Sequence, residues 1–152
     1  MPFQRTPFAD VVAAVIDRLQ SFDITATWVG LQERPQMWLG DYQISLAPGA
    51  ASLDEGTATG TGYCGSLIRR TVALTLQSRS YEDEGERATQ ALYEHLALEE
   101  QILAALHLWM PTGGIVTEPI RLAPGAPSQP QQANGVIGSV LTFETLYGAL
   151  LQ

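Results

Sequence analysis

The stretch Leu67–Ser78 limits the possible folds more than any other part of the chain. Val72, Leu74 and Leu76 alternate there with Thr71, Ala73, Thr75 and Gln77. A period of two sends successive side chains to opposite faces. One face is apolar enough to bury and the other polar enough to meet water, the pattern of an antiparallel sheet covered on one side only. The cover is found upstream. Phe8, Val11, Val12, Val15, Leu19 and Phe22 recur at i, i+3, i+4, i+7 spacing, with Asp10, Asp17, Arg18 and Gln20 off that stripe. This predicts an amphipathic helix from about Phe8 to Phe22. Thr6 followed by Pro7 suits an N-cap and a first helical position.

Further strands are expected near Ile24–Val29 and Met37–Leu46, the second with Trp38, Tyr42, Ile44 and Leu46 on one face. Pro48-Gly49 opens a run of small residues to Gly65, read as a long loop over 48–65. After Ser80, the residues Glu82, Asp83, Glu84 and Glu86 read as the start of a helix, because carboxylates suit the positive end of its dipole. The helical pattern continues to about Met110 with Leu92, Leu96, Leu103, Leu106 and Met110 on one face, but His95 and Glu99 fall in the same stripe. Either those two pair in the core, or the helix breaks near Ala97-Leu98 and restarts at Glu99-Glu100. The break is favoured, since it buries no charge. A strand over Ile115–Leu122, demoted to an edge by Pro119, a second loop over 123–135 and a last strand from Val136 to about Tyr147 complete the order. Ile44–Ser52 echoes Ile120–Ser128, read as one strand-exit turn used twice. The fold class expected is α+β: a mostly antiparallel sheet packed on one face by an N-terminal helix and a central helical region, in a single domain over residues 1–152.

Composition removes several functions. The chain of 152 residues has one cysteine, Cys64, so an internal disulfide and Cys-based zinc sites are excluded. Sixteen acidic residues stand against eight basic ones, a formal charge of −8. That balance repels a nucleic-acid backbone. All eight basic residues are arginine, and without lysine a Walker A motif is impossible. No apolar run approaches the ~20 residues that span a bilayer. The opening Met1-Pro2-Phe3-Gln4-Arg5 is not a secretory signal, so a cytosolic origin is expected.

The motifs that remain are weak. Gly60-Thr61-Gly62-Tyr63-Cys64-Gly65 has the letters of a dinucleotide fingerprint, but a loop precedes it and a strand follows, the wrong context for phosphate to meet a helix N-terminus. Cys64 with His95 or His107 would make an activated thiol only if the fold brought them together. The run Glu82-Asp83-Glu84 lacks the alternating ligands and central glycine of a calcium loop. No catalytic, cofactor or metal residues are assigned, and no cofactor is expected. Candidate assembly contacts are Leu53 and Tyr63, the large apolar side chains of the small-residue stretch, and Arg69-Arg70, which head the strongest strand and point to opposite faces.

The element order and three local stretches resemble the tail terminator (tail completion) proteins of long-tailed bacteriophages. The stretches are Val11-Val12-Ala13-Ala14-Val15-Ile16-Asp17-Arg18-Leu19, the passage Val72–Leu96, and Val140-Leu141-Thr142-Phe143-Glu144. In that passage Thr75-Leu76-Gln77-Ser78-Arg79 leads into Asp83-Glu84-Gly85-Glu86-Arg87-Ala88. The resemblance implies a virion protein of the tail neck without catalysis. It would form a homo-oligomeric ring, usually of six subunits, that caps the tail tube protein and meets head–tail connector proteins. It also implies that DNA passes through the ring without specific binding, which an acidic channel favours.

Overall fold

The computed structural model describes residues 7–26, 28–29, 40–54, 67–123 and 128–148. Its elements are α1 (Pro7–Gln20), β1 (Trp28–Val29), β2 (Tyr42–Asp54), β3 (Leu67–Arg79), α2 (Glu86–Leu106), β4 (Arg121–Leu122), β5 (Gln131–Ala133) and β6 (Val136–Gly148). The described strands form one sheet in the order β1-β2-β3-β6-β4, with β5 also paired to β6. All pairs are antiparallel except β1 with β2. The fold is α+β.

Register explains the one-sided core. Ile44 faces Leu76 and Leu46 faces Leu74 across β2–β3, while Leu74 faces Leu141 and Val72 faces Phe143 across β3–β6. These residues, all on the same face of the pleat, are buried with Val15 and Leu19 of α1 and Ile102, Ala105 and Leu106 of α2. Full burial of each such Leu or Ile contributes roughly 1.5–3 kcal/mol. The opposite face presents Gln43, Ser45 and Ala47 beside Gln77, Thr75 and Ala73, and no described helix covers it.

Three sequence expectations need correction. The first concerns α2, which is continuous through Ala97-Leu98. His95 and Glu99 are both buried, so they pair in the core and the favoured break does not occur. The buried stripe is Ala91, His95, Glu99, Ile102 and Leu106, turned from the leucine stripe so that Leu92 is exposed. The second concerns Pro48, where no loop begins. β2 runs on to Asp54 through a bulge between Pro48 and Ala51, and Leu53 pairs with Ile68. Proline survives there because β2 is flanked beyond Leu46 by β3 alone among the described residues, so its missing N–H removes no ladder bond on an edge. Residues 55–65 of the expected loop lie outside the described residues. The third concerns helix and strand starts. Glu82–Glu84 form a turn, with Glu84 N–H donating to Tyr81 O at 3.0 Å, and the helix starts only at Glu86 after Gly85 with φ 49°. Similarly, Ile115–Leu122 is strand only at its last two residues, and the 123–135 segment contains β5 and the tight Asn134-Gly135 turn into β6.

Candidate functional site

Arg69 and Arg70 emerge on opposite faces of β3, and each is held within its own chain. Arg69, on the uncovered face, reaches Glu118 at 2.8 Å, and Arg121 approaches the same carboxylate at 3.9 Å. Arg70 turns under α1. Its Nε donates to Tyr147 Oη at 3.1 Å, its terminal nitrogen donates to Gly49 O at 2.9 Å, and its guanidinium lies 5.2 Å from the centre of the Phe8 ring. Arg70 thus ties the β2 bulge to the start of α1. Leu53, near the end of the β2–β3 ribbon, is 62% exposed. Tyr63 and Cys64 lie outside the described residues, as does the Gly60–Gly65 stretch.

His95 occupies the interior, with no exposed surface. Ser78 Oγ of β3 lies 2.7 Å from Nδ1, and Ser139 Oγ of β6 lies 2.9 Å from Nε2. Glu99, one helical turn on, brings a carboxylate oxygen to 3.8 Å from Nε2. That carboxylate favours the proton on Nε2, so Nε2–H donates to Ser139 and the Ser78 hydroxyl donates to Nδ1. Burial pushes the imidazole below its ordinary value, because water no longer stabilises the charged form. The histidine fastens α2 to the two central strands. A cleft of about 390 Å³ opens beside it, walled by Tyr42, Tyr81, Arg87 and Leu98. Its charged groups are already engaged: Arg87 stacks 3.8 Å over the Tyr81 ring, and Tyr81 Oη donates to Asp41 at 3.1 Å. His107 is likewise structural, accepting the Leu122 N–H at 3.0 Å on Nδ1. Among the described residues no group of three His, Cys, Asp or Glu side chains is arranged to hold a metal, and no helix is long and apolar enough to cross a membrane.

The exposed surface holds a cluster that the sequence pattern does not reveal. Arg18 of α1 stacks between two rings, 4.9 Å from the centre of Phe22 and 5.3 Å from that of Trp109, and its Nε donates to Ala105 O at 3.0 Å. Around it Phe22 is 42%, Met110 46% and Leu108 61% exposed. Leu108 also has φ 61°, a left-handed backbone that bulky residues rarely adopt. It is held there by Leu108 N–H donating to Ile120 O and Ile120 N–H donating to Trp109 O. The one local signal is the apolar run Leu108-Trp109-Met110 before Pro111, which in sequence merges with the helix stripe. A cluster of large apolar groups around an arginine is a common make-up for a protein contact.

The described surface thus offers apolar contact points above a satisfied polar interior. By sequence, the chain matches neither a protein-family profile nor a curated protein. By structure it is similar to a chain described as "Virion of native gene transfer agent (GTA) particle". The TM-score is 0.52 at 14% identity, over 90% of this chain and 93% of that one. At that identity the correspondence concerns the fold, and it extends over nearly the full length of both chains.

Proposed function

We propose that this chain is a structural protein of a virion, and specifically a tail terminator. In this reading it forms a ring of six subunits at the head-proximal end of a tail tube, stops tube polymerisation and joins the tail to the head. The observation that carries the reading is the near full-length fold correspondence with a chain of a gene transfer agent virion. The resemblance of the α1, β3–α2 and β6 sequences to tail terminators supplies the finer role. The chemistry agrees with it. The titratable interior serves to join α2 to the sheet, and a chain of charge −8 lets a phosphate backbone pass without condensing on it. No catalytic step is assigned, and the expected partners are the tail tube protein, head–tail connector proteins and further copies of the chain.

The test is co-assembly with the tail tube protein encoded beside it. Tubes formed with the chain are expected to carry a ring at one end and to stop at that end, as seen by electron microscopy. Tubes that grow to the same lengths with and without the chain, with no ring bound, would overturn the terminator role. Absence of the chain from purified particles would overturn the virion reading altogether.

A further inference from the structure

Two exposed apolar features lie at opposite ends of the domain. One is the cluster of Phe22, Leu108 and Met110 around Arg18. The other is Leu53 on the β2–β3 ribbon. Their separation follows from contacts already described. Leu53 pairs with Ile68, and Ile68 pairs with Tyr147. The Tyr147 ring packs 5.8 Å from the Phe8 ring in the first turn of α1. The Leu53 end is therefore the N-terminal end of α1. From there the 14 residues of α1 carry the chain about 21 Å, at ~1.5 Å per residue, to Phe22 at the far end. A single copy cannot bring the two features together.

Charge decides how two copies would meet. Arg18 sits at the centre of one feature, while Asp54 follows Leu53 as the last paired residue of β2. A symmetric contact sets Arg18 against Arg18, or Asp54 against Asp54. A head-to-tail contact sets the cation of one copy near the acid of the next, and like charges placed together cost affinity. We propose that Leu53 of one copy seats in the Phe22–Trp109–Met110 cluster of the next, forming a head-to-tail contact between copies of this chain. The proposal rests on the ring reading above and deepens it. A contact between two different patches repeats from subunit to subunit and closes into a ring when the rotation allows. Leucine in a pocket walled by tryptophan and arginine is the kind of anchor on which such contacts concentrate.

The test uses two variants, Leu53→Asp and Leu108→Asp, with native mass spectrometry as the readout. Both side chains are exposed, and aspartate tolerates the left-handed backbone at 108 better than leucine does, so folding is expected to persist and is checked by circular dichroism. The wild-type chain should form closed oligomers, and each variant alone should lose association by at least about tenfold. Mixing the two is decisive. Leu53→Asp retains an intact cluster and Leu108→Asp an intact ribbon, so the mixture should form one-to-one pairs that grow no further. A mixture as monomeric as its folded components overturns the head-to-tail contact. So does either variant assembling like wild type, although wild-type rings would then leave the terminator reading standing. Rings that persist in both variants but no longer cap tubes would assign the cluster to the tube protein, against this proposal. A wild-type chain that stays monomeric at every concentration removes both readings.

Discussion

His95 lies where a charge would be most costly, and its titration should therefore be visible in stability. Its imidazole stays neutral in the fold because burial pushes its proton affinity down. In the unfolded chain it takes up a proton below about pH 6.5. The unfolded state then binds more protons, so stability is present above that pH and is lost as pH falls beneath it. Urea unfolding at pH 7.5 and 5.5 should show this loss, and His95→Gln should flatten the pH dependence while lowering stability at both values. An unchanged slope in the variant would mean another group is responsible. Gly49 is a second residue whose identity is dictated locally. A Cβ there would collide with the Thr71 hydroxyl and sit 3.2 Å from both Thr71 Cβ and the Thr71 carbonyl oxygen. Gly49→Ala should cost about 1–3 kcal/mol, measured by denaturant unfolding, with partial recovery in the Gly49→Ala/Thr71→Ala pair. Equal midpoints for wild type and Gly49→Ala would contradict the close approach of the bulge to β3.

Among the elements, α2 gives the sharpest contrast between what its residues advertise and what they do. Ala97 lies on its exposed side, within an unbroken helix. Ala97→Gly should cost about 1 kcal/mol; a helix interrupted at that point would show almost no change in thermal or urea midpoint. Periodicity reveals α1 and β3 because a single face of each is buried, and period then reports burial directly. It misleads in α2, where the inward positions include a histidine and a glutamate. The hydrogen-bonding partners of that histidine, Ser78 and Ser139, come from 17 and 44 residues away, and nothing local announces them. β2 reads too short for a related reason. Proline and glycine report the local backbone, whereas the strand continues past them because β3 supplies a ladder on one side. The cluster of Phe22 and Trp109 is illegible in sequence because its two halves meet only when α1 and α2 lie side by side. Alternation alone places Arg69 and Arg70 on opposite faces, but Glu118 and Tyr147, their partners in the same chain, are tertiary facts.

The molecule as a whole is a like-charged body asked to meet copies of itself. At ~0.01 M salt, charges act over ~30 Å, and at ~0.15 M over ~8 Å. With sixteen carboxylates against eight arginines, repulsion between copies outweighs the attraction of a single Arg18–Asp54 approach. Raising salt across that range should therefore increase the oligomeric fraction, read by light scattering; dissociation on adding salt would mean that ionic rather than apolar contacts hold the copies together. A different consequence follows from the sheet order. β6 follows all of its partners along the chain and yet sits between β3 and β4, supplying Leu141 and Phe143 to the core and Ser139 to the buried histidine. While the ribosome is still making residues 136–148, β3 has one free edge and His95 lacks a partner. Folding of this domain must then wait for release of the nascent chain, and until that moment its apolar strands are open to chaperones and to mispairing.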